Sequence, residues 1–161
     1  MNPIETKDLI IRDSVFEDLK YFDPWERQSA VTEFFSIADG QSLEDVTKAY
    51  VKFDEAADMR QYTICLRESG EPVGRIILGD IIEGWKCEIW RIYIADTALR
   101  GKGYGRQAME ATMKLCFEDF GMKRVYLDHQ YGKSSGAPVS ESGISVRGRA
   151  AKELPEERRP L

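Results

Sequence analysis

A single histidine, His129, is all that this chain of 161 residues offers of that residue type. A lone imidazole leaves no partner for a zinc site, and it would have to be the only base for any serine nucleophile, so both chemistries are disfavoured. Cysteine is scarce too. Cys65, Cys87 and Cys116 are odd in number, scattered, and set inside apolar segments, which is the pattern of reduced core residues rather than of a disulfide or metal set. No apolar run approaches a membrane span, and Met1 to Thr6 lacks the basic region and apolar stretch of a secretory leader; a cytoplasmic protein with no membrane partner is expected. Excess positive charge is also missing. The net charge of -5 is uneven, since residues 1–128 carry 17 basic and 24 acidic side chains and residues 129–161 carry 6 and 4. An acidic body argues against nucleic acid as a partner and suits a cationic amine drawn in by its field.

What the chain does have is glycine in one telling place. Arg100-Gly101-Lys102-Gly103-Tyr104-Gly105-Arg106 follows the apolar stretch Ile89 to Ile94 and precedes an amphipathic run to Phe120. The order reads as strand, phosphate loop, helix. Three glycines at alternate positions leave the backbone bare, and a helix opening at Tyr104 or Gly105 points its unpaired N–H groups and positive dipole end into the loop, a pocket for a pyrophosphate. Two common phosphate loops do not fit. A P-loop needs Lys then Ser or Thr after its last glycine, whereas Gly105 is followed by Arg106-Gln107. A dinucleotide fingerprint needs G-x-G-x-x-G after the first strand of a βαβ unit, and this loop is G-x-G-x-G after the fourth expected strand.

The rest of the chain supplies the order of elements. Leu9 to Arg12 is a short strand; Ser14 and Glu17 form a capping box for a helix to about Tyr21, which Pro24 stops. Trp25, Phe34, Phe35 and Ile37 then lie in an irregular stretch, where apolar side chains are either packed inward or lining a ligand. Ser42 with Asp45 caps a second helix in which Leu43, Val46, Ala49, Tyr50 and Phe53 recur at helical spacing. Tyr62 to Leu66 and Val73 to Leu78 make a hairpin around Glu68 to Pro72, and the chain turns again into the strand Lys86 to Ile94. After the loop, Ala108, Met109, Met113, Cys116, Phe117 and Phe120 form one apolar stripe, Gly121 stands at the helix C-cap, and Lys123 to Asp128 is a last strand. One domain of the α+β class is expected, with a mixed, mostly antiparallel twisted sheet flanked by helices.

The order βααβββ, loop, α, β and the spacing Arg100-x-x-Gly103-x-Gly105 resemble the GNAT family of N-acetyltransferases, over about residues 6–128. That resemblance implies acetyl-CoA as co-substrate and a primary amine, a polyamine-like small molecule or a protein N-terminus, as acceptor. It also implies that the pantetheine arm pairs with the backbone of Ile92, Tyr93 and Ile94. The pyrophosphate then meets Arg100, Gly101, Lys102, Gly103, Tyr104 and Gly105, with Arg100, Lys102 and Arg106 as charge partners. Family enzymes often place a proton-accepting carboxylate on this strand, and Glu88 holds the equivalent position. Period-2 alternation puts Glu88, Trp90, Ile92 and Ile94 on one face, where apolar neighbours would raise a carboxylate pKa toward that of a working base.

After Asp128 the resemblance stops. Residues 129–161 form a Gly/Ser/Pro/Arg/Glu-rich tail whose composition builds no core, so a disordered extension is one expectation and the family's last strands are missing or replaced. Another comes from the codons. Read one nucleotide forward, those for Ala137 to Ser140 permit Arg-Leu-Tyr, those for Ser142 to Ser145 permit Leu-Gly-Phe, and those for Arg147 to Glu153 permit Glu-Gly-Val-Leu-Arg-Lys. These are the family's missing segments in order, as a frameshift near Asp128 or His129 would leave them. The family's tyrosine acid for the CoA thiolate would be lost with them, and Tyr131 is in no matching motif. The sheet edge left open at Asp128 favours a homo-oligomer. The alternative to an enzyme is a non-catalytic acetyl-CoA-binding module or oligomerising pseudoenzyme.

Overall fold

Short apolar strands joined by tight turns build one sheet. The computed structural model describes residues 2–28, 42–99 and 101–127; Phe34, Phe35, Ile37, Arg100 and everything from Asp128 on, including His129 and Tyr131, lie outside the described residues. The strands are β1 (Ile4–Glu5), β2 (Leu9–Asp13), β3 (Arg60–Leu66), β4 (Pro72–Ile82), β5 (Lys86–Ile94) and β6 (Arg124–Leu127), hydrogen-bonded in chain order. All neighbours are antiparallel except β5 and β6, which run parallel because helix α3 (Tyr104–Lys114) crosses over between them. Helices α1 (Leu19–Trp25) and α2 (Leu43–Glu55) come between β2 and β3. The expected order is present, with β1 added in front.

The two faces of the sheet are packed differently. Leu9, Ile11, Tyr62, Ile64, Ile76, Leu78, Ile89 and Ile92 form a continuous apolar core with Ala108, Met109, Leu115 and Cys116 of α3 and the π-turn Leu115–Asp119 that prolongs it. On the opposite side Leu19, Phe22, Val46 and Tyr50 of α1 and α2 form a second, small cluster. Between that cluster and the sheet run polar contacts: Thr63 Oγ1 donates to Asp18 Oδ2 at 2.8 Å, and Gln61 Nε2 to the Tyr50 carbonyl at 3.1 Å. All three cysteines are buried and unbridged, with Cys87 and Cys116 Sγ atoms 3.6 Å apart.

Local chemistry explains where sequence and structure agree and differ. Ser42 and Asp45 form the expected capping box, each side chain accepting from the other's backbone N–H at 3.1 Å. At the first helix the box is displaced. Asp18, not Glu17, accepts from the Val15 N–H at 2.9 Å, because Ser14 Oγ is committed to Thr63 Oγ1 at 2.9 Å. Pro24 lies inside α1 rather than ending it, and the residue one turn earlier, Lys20, whose carbonyl a Pro24 N–H would have met, is exposed. Gly121 takes the left-handed conformation, φ 64°, that ends a helix.

The largest departure is in β5. The pairs Ile77–Arg91 and Leu78–Ile89 flank one extra residue, Trp90, so β5 carries a β-bulge there. The Trp90 indole lies across Gly79, where a Cβ would be 2.5 Å from the ring, and its Nε1–H donates to Asp80 Oδ2 at 3.2 Å. Its edge meets Phe53 of α2, with ring centroids 5.8 Å apart. A bulge reverses the alternation beyond it. Ile92 and Ile94 therefore turn to the α3 face with Cys87 and Ile89, whereas Glu88, Trp90, Arg91 and Tyr93 face α1 and α2. The single face expected for Glu88, Trp90, Ile92 and Ile94 does not exist.

Candidate functional site

Backbone conformation sets the loop before α3. Gly101 and Gly103 have φ of 84° and 81°, values an L side chain rarely adopts. Gly105 is different: it is helical, and a Cβ on it would meet, beyond its chain neighbours and its own helix backbone, no atom of the described residues within 4 Å. Neither strain nor crowding among the described residues requires glycine there, and the bare space suits a group brought from outside. Gly103 is the N-cap, and among the described residues no side chain caps the helix, whose positive dipole end opens into the loop. Gln107 fixes the helix start: its Oε1 accepts from Thr6 Oγ1 at 2.7 Å and the Asp8 N–H at 3.0 Å, and its Nε2 donates to Asp8 Oδ2 at 2.7 Å.

The side chains of the loop are peripheral to that arrangement. Lys102 is exposed, and Tyr104 is half-buried against the core. Arg106 Nε donates to Glu110 Oε1 at 3.1 Å in an exposed pair one turn apart, an interaction weak enough to exchange for a better anion. Arg100 lies outside the described residues.

Among the described residues, the end of the strand leading to the loop is paired along one edge only. The Ala95 N–H donates to the Val73 carbonyl at 2.9 Å, and the Tyr93 carbonyl packs against Gly74, so the backbone groups of Tyr93 and Ala95 face β4. Those of Ile92 and Ile94 then face the other edge, which β6 pairs only as far as Ile89 among the described residues. Of the three residues expected to pair a pantetheine arm, Ile92 and Ile94 turn their backbone groups to this edge and Tyr93 turns its own to β4. Glu88 stands one residue before that limit, between Gly79 on β4 and Tyr126 on β6. It is half-buried and lines a cavity of about 340 Å³ with Asp58, Asp80 and Lys86.

A second polar centre was not legible in the spacing of the sequence. Glu26, 1% exposed at the end of α1, accepts from Arg75 and Arg91 Nη1 at 2.6 Å each and from Tyr93 Oη at 2.7 Å. Arg75, also 1% exposed, stacks on the Phe22 ring at 4.2 Å and donates to Gln61 Oε1. Burial pushes the Glu26 pKa up, but Arg75, Arg91 and the Tyr93 hydroxyl together outweigh it and hold the carboxyl below its ordinary value. Burial and the adjacent Glu26 carboxylate drive Tyr93 well above an ordinary phenol, so its hydroxyl stays protonated and donates to Glu26. The only signals for this cluster were charged residues inside apolar strands, Arg75 between Gly74 and Ile76 and Arg91 between Trp90 and Ile92.

Taken together, a helix start that no described side chain caps, a bare glycine backbone and a strand edge that no described residue pairs can hold an extended ligand with an anionic group at one end. Among the described residues no cluster of metal-ligating side chains exists and no helix is long and apolar enough to cross a membrane. A family model described as the acetyltransferase (GNAT) family matches residues 23–135. Among solved structures, a GNAT-family acetyltransferase from Bacillus anthracis is similar at 20% identity and TM-score 0.74, covering 98% of this chain and 92% of that one. Spermidine N-acetyltransferase from Vibrio cholerae, solved with CoA and spermine, is similar at 16% identity and TM-score 0.72, covering 90% and 91%. An aminoglycoside acetyltransferase, AAC(6')-Ib, in complex with coenzyme A gives 20% identity and TM-score 0.63 over 74% and 73%. At these identities the likeness is one of fold. No curated protein sequence matches the chain.

Proposed function

The chain belongs to the GNAT acetyltransferase family, and from that membership we propose that it moves an acetyl group from acetyl-CoA to a primary amine by direct attack of the amine. The observation that carries the reading is Gly105, where a Cβ would meet nothing among the described residues, which leaves room for a pyrophosphate on the first turn of α3. Bound, acetyl-CoA supplies an acetyl group activated as a thioester. Gly101 to Gly105 hold the pyrophosphate through backbone N–H groups, with Arg100, Lys102 and Arg106 as cationic partners. Ile92 and Ile94 offer their backbone groups to the pantetheine arm along the edge of β5 that no described residue pairs beyond Ile89. Glu88, on the neighbouring part of the strand, accepts a proton from the acceptor ammonium so that a free amine can attack. Glu88 and the acidic residues beside it also suit a cationic acceptor, a polyamine-like small molecule or a protein N-terminus.

Calorimetry with acetyl-CoA, followed by a thiol-release assay over spermidine, spermine, aminoglycosides and short peptides, tests the proposal. Binding with thiol release on at least one amine supports it, binding without release on any amine favours the non-catalytic module, and absence of binding overturns both. Glu88→Gln is expected to lower turnover by roughly 10² to 10⁴ and to leave acetyl-CoA affinity nearly unchanged; wild-type turnover removes Glu88 from its role. The family match ends at residue 135, inside the tail whose composition departs from the family, and the gene sequence tests whether a frameshift produced that tail. Stop codons in the alternative frame of the gene after Asp128, or no GNAT-like continuation in it, would overturn that reading.

A further inference from the structure

The Glu26 cluster and the unpaired edge of β5 belong to one short segment of strand. After the bulge at Trp90, residues Arg91 to Ile94 pair on one edge only among the described residues. A segment hinged at a bulge and held along one edge needs another anchor if its free edge is to keep a fixed position. Arg91 and Tyr93 supply it, because both side chains end on the same Glu26 carboxylate. That carboxylate also takes Arg75, the direct cross-strand neighbour of Tyr93, and Arg75 reaches Gln61 on β3. One buried group therefore ties β3, β4 and β5 to the end of α1, on the face opposite α3.

We infer that Glu26 is a positioning residue, fixing Arg91 to Ile94 so that the backbone of Ile92 and Ile94 meets the pantetheine arm at pairing distance; the inference rests on the acetyl-CoA reading above. Only a carboxylate meets the demand. Three donors converge on it, and an amide in its place offers a single acceptor oxygen and turns an NH₂ group toward other donors. With Glu26→Gln the guanidinium and the phenol lose their common acceptor, and the segment loses the anchor on that face.

Two ligands separate positioning from general damage. CoA uses both the loop and the strand edge, whereas 3′-phospho-ADP has the diphosphate but no pantetheine arm. Calorimetry on folded Glu26→Gln is expected to show CoA bound roughly tenfold more weakly, with 3′-phospho-ADP changed less than about twofold. Tyr93→Phe, which removes one donor and keeps the ring, should repeat the pattern at roughly threefold. It carries the comparison by itself if Glu26→Gln does not fold. Equal loss for the two ligands, or no loss for CoA, overturns the positioning role. Wild-type protein that binds neither ligand overturns the acetyl-CoA reading, and this inference with it.

Discussion

The loop at Gly101 to Arg106 and the cluster around Glu26 both gather hydrogen-bond donors and positive charge, and they dispose of them in opposite ways. In the cluster every arm of the carboxylate is taken by a donor of the same chain, under nearly complete burial. In the loop the donors are backbone N–H groups at a helix start that no described side chain caps, and the glycine that borders them leaves space that no described residue fills. The lesson is one of unspent capacity. Donors that folding uses are locked to an acceptor, and donors that folding leaves open are available to a ligand.

The sharpest way to break the comparison is to remove the acceptor that locks the cluster. Glu26→Ala leaves two arginines without their counter-ion in a dry interior and is expected to cost about 3–5 kcal/mol of unfolding free energy, read by urea titration. A loss below about 1 kcal/mol would mean that water or another acidic group already serves there. Filling the space at Gly105 should act on binding alone. Gly105→Val is expected to weaken acetyl-CoA about 100-fold, or about 2.7 kcal/mol, while the urea midpoint stays or rises because a helical glycine has been replaced. An affinity within threefold of wild type would show that the space is not the pyrophosphate's.

Solution conditions separate the two regions more gently. Raising sodium chloride from low to about 0.5 M should weaken acetyl-CoA binding several-fold, because Lys102 and the helix start are exposed, and should leave the buried ion pairs largely unscreened. Acid acts on the other region. Glu26 and Asp18 are both held below the ordinary carboxylate range, Glu26 against its burial by Arg75 and Arg91, Asp18 against its burial by Arg12, the Val15 N–H and Thr63. Their contribution to stability is present above the unfolded carboxylate pKa of about 4 and is lost as pH falls through the lower folded values. Burial raises Tyr93 and Tyr62, so the opposite loss follows above an unfolded phenol pKa of about 10. Urea midpoints measured across pH should therefore fall at both ends, and a flat acid limb would contradict the Glu26 and Asp18 assignments.

Much of the scaffold was legible because its signals are local. Gly103 before Tyr104, Ser42 three residues ahead of Asp45, and Gly121 after the apolar stripe each report a backbone conformation or a cap within a few residues. The bulge was not legible: period-2 counting assumes an unbroken ladder, and the extra residue at Trp90 is accommodated by Gly79 on another strand. Nor was the cluster, since Glu26 lies 49 residues from Arg75 and 65 from Arg91 and only the fold brings them together. Glu88 illustrates both limits. Its place on the strand was foreseen and its company was not, because the reversal beyond Trp90 sends Ile92 and Ile94 to the other face.

The contact between Gly79 and the Trp90 indole also constrains the order in which this sequence can change over time. Even alanine at position 79 brings a methyl carbon to 2.5 Å from the ring while the indole stays in place. A smaller side chain at position 90 would first have to clear that space, so the second substitution becomes permissible only against the background of the first. Homologues that differ at the two positions should therefore differ at them jointly, and lineages that keep the tryptophan should keep the glycine.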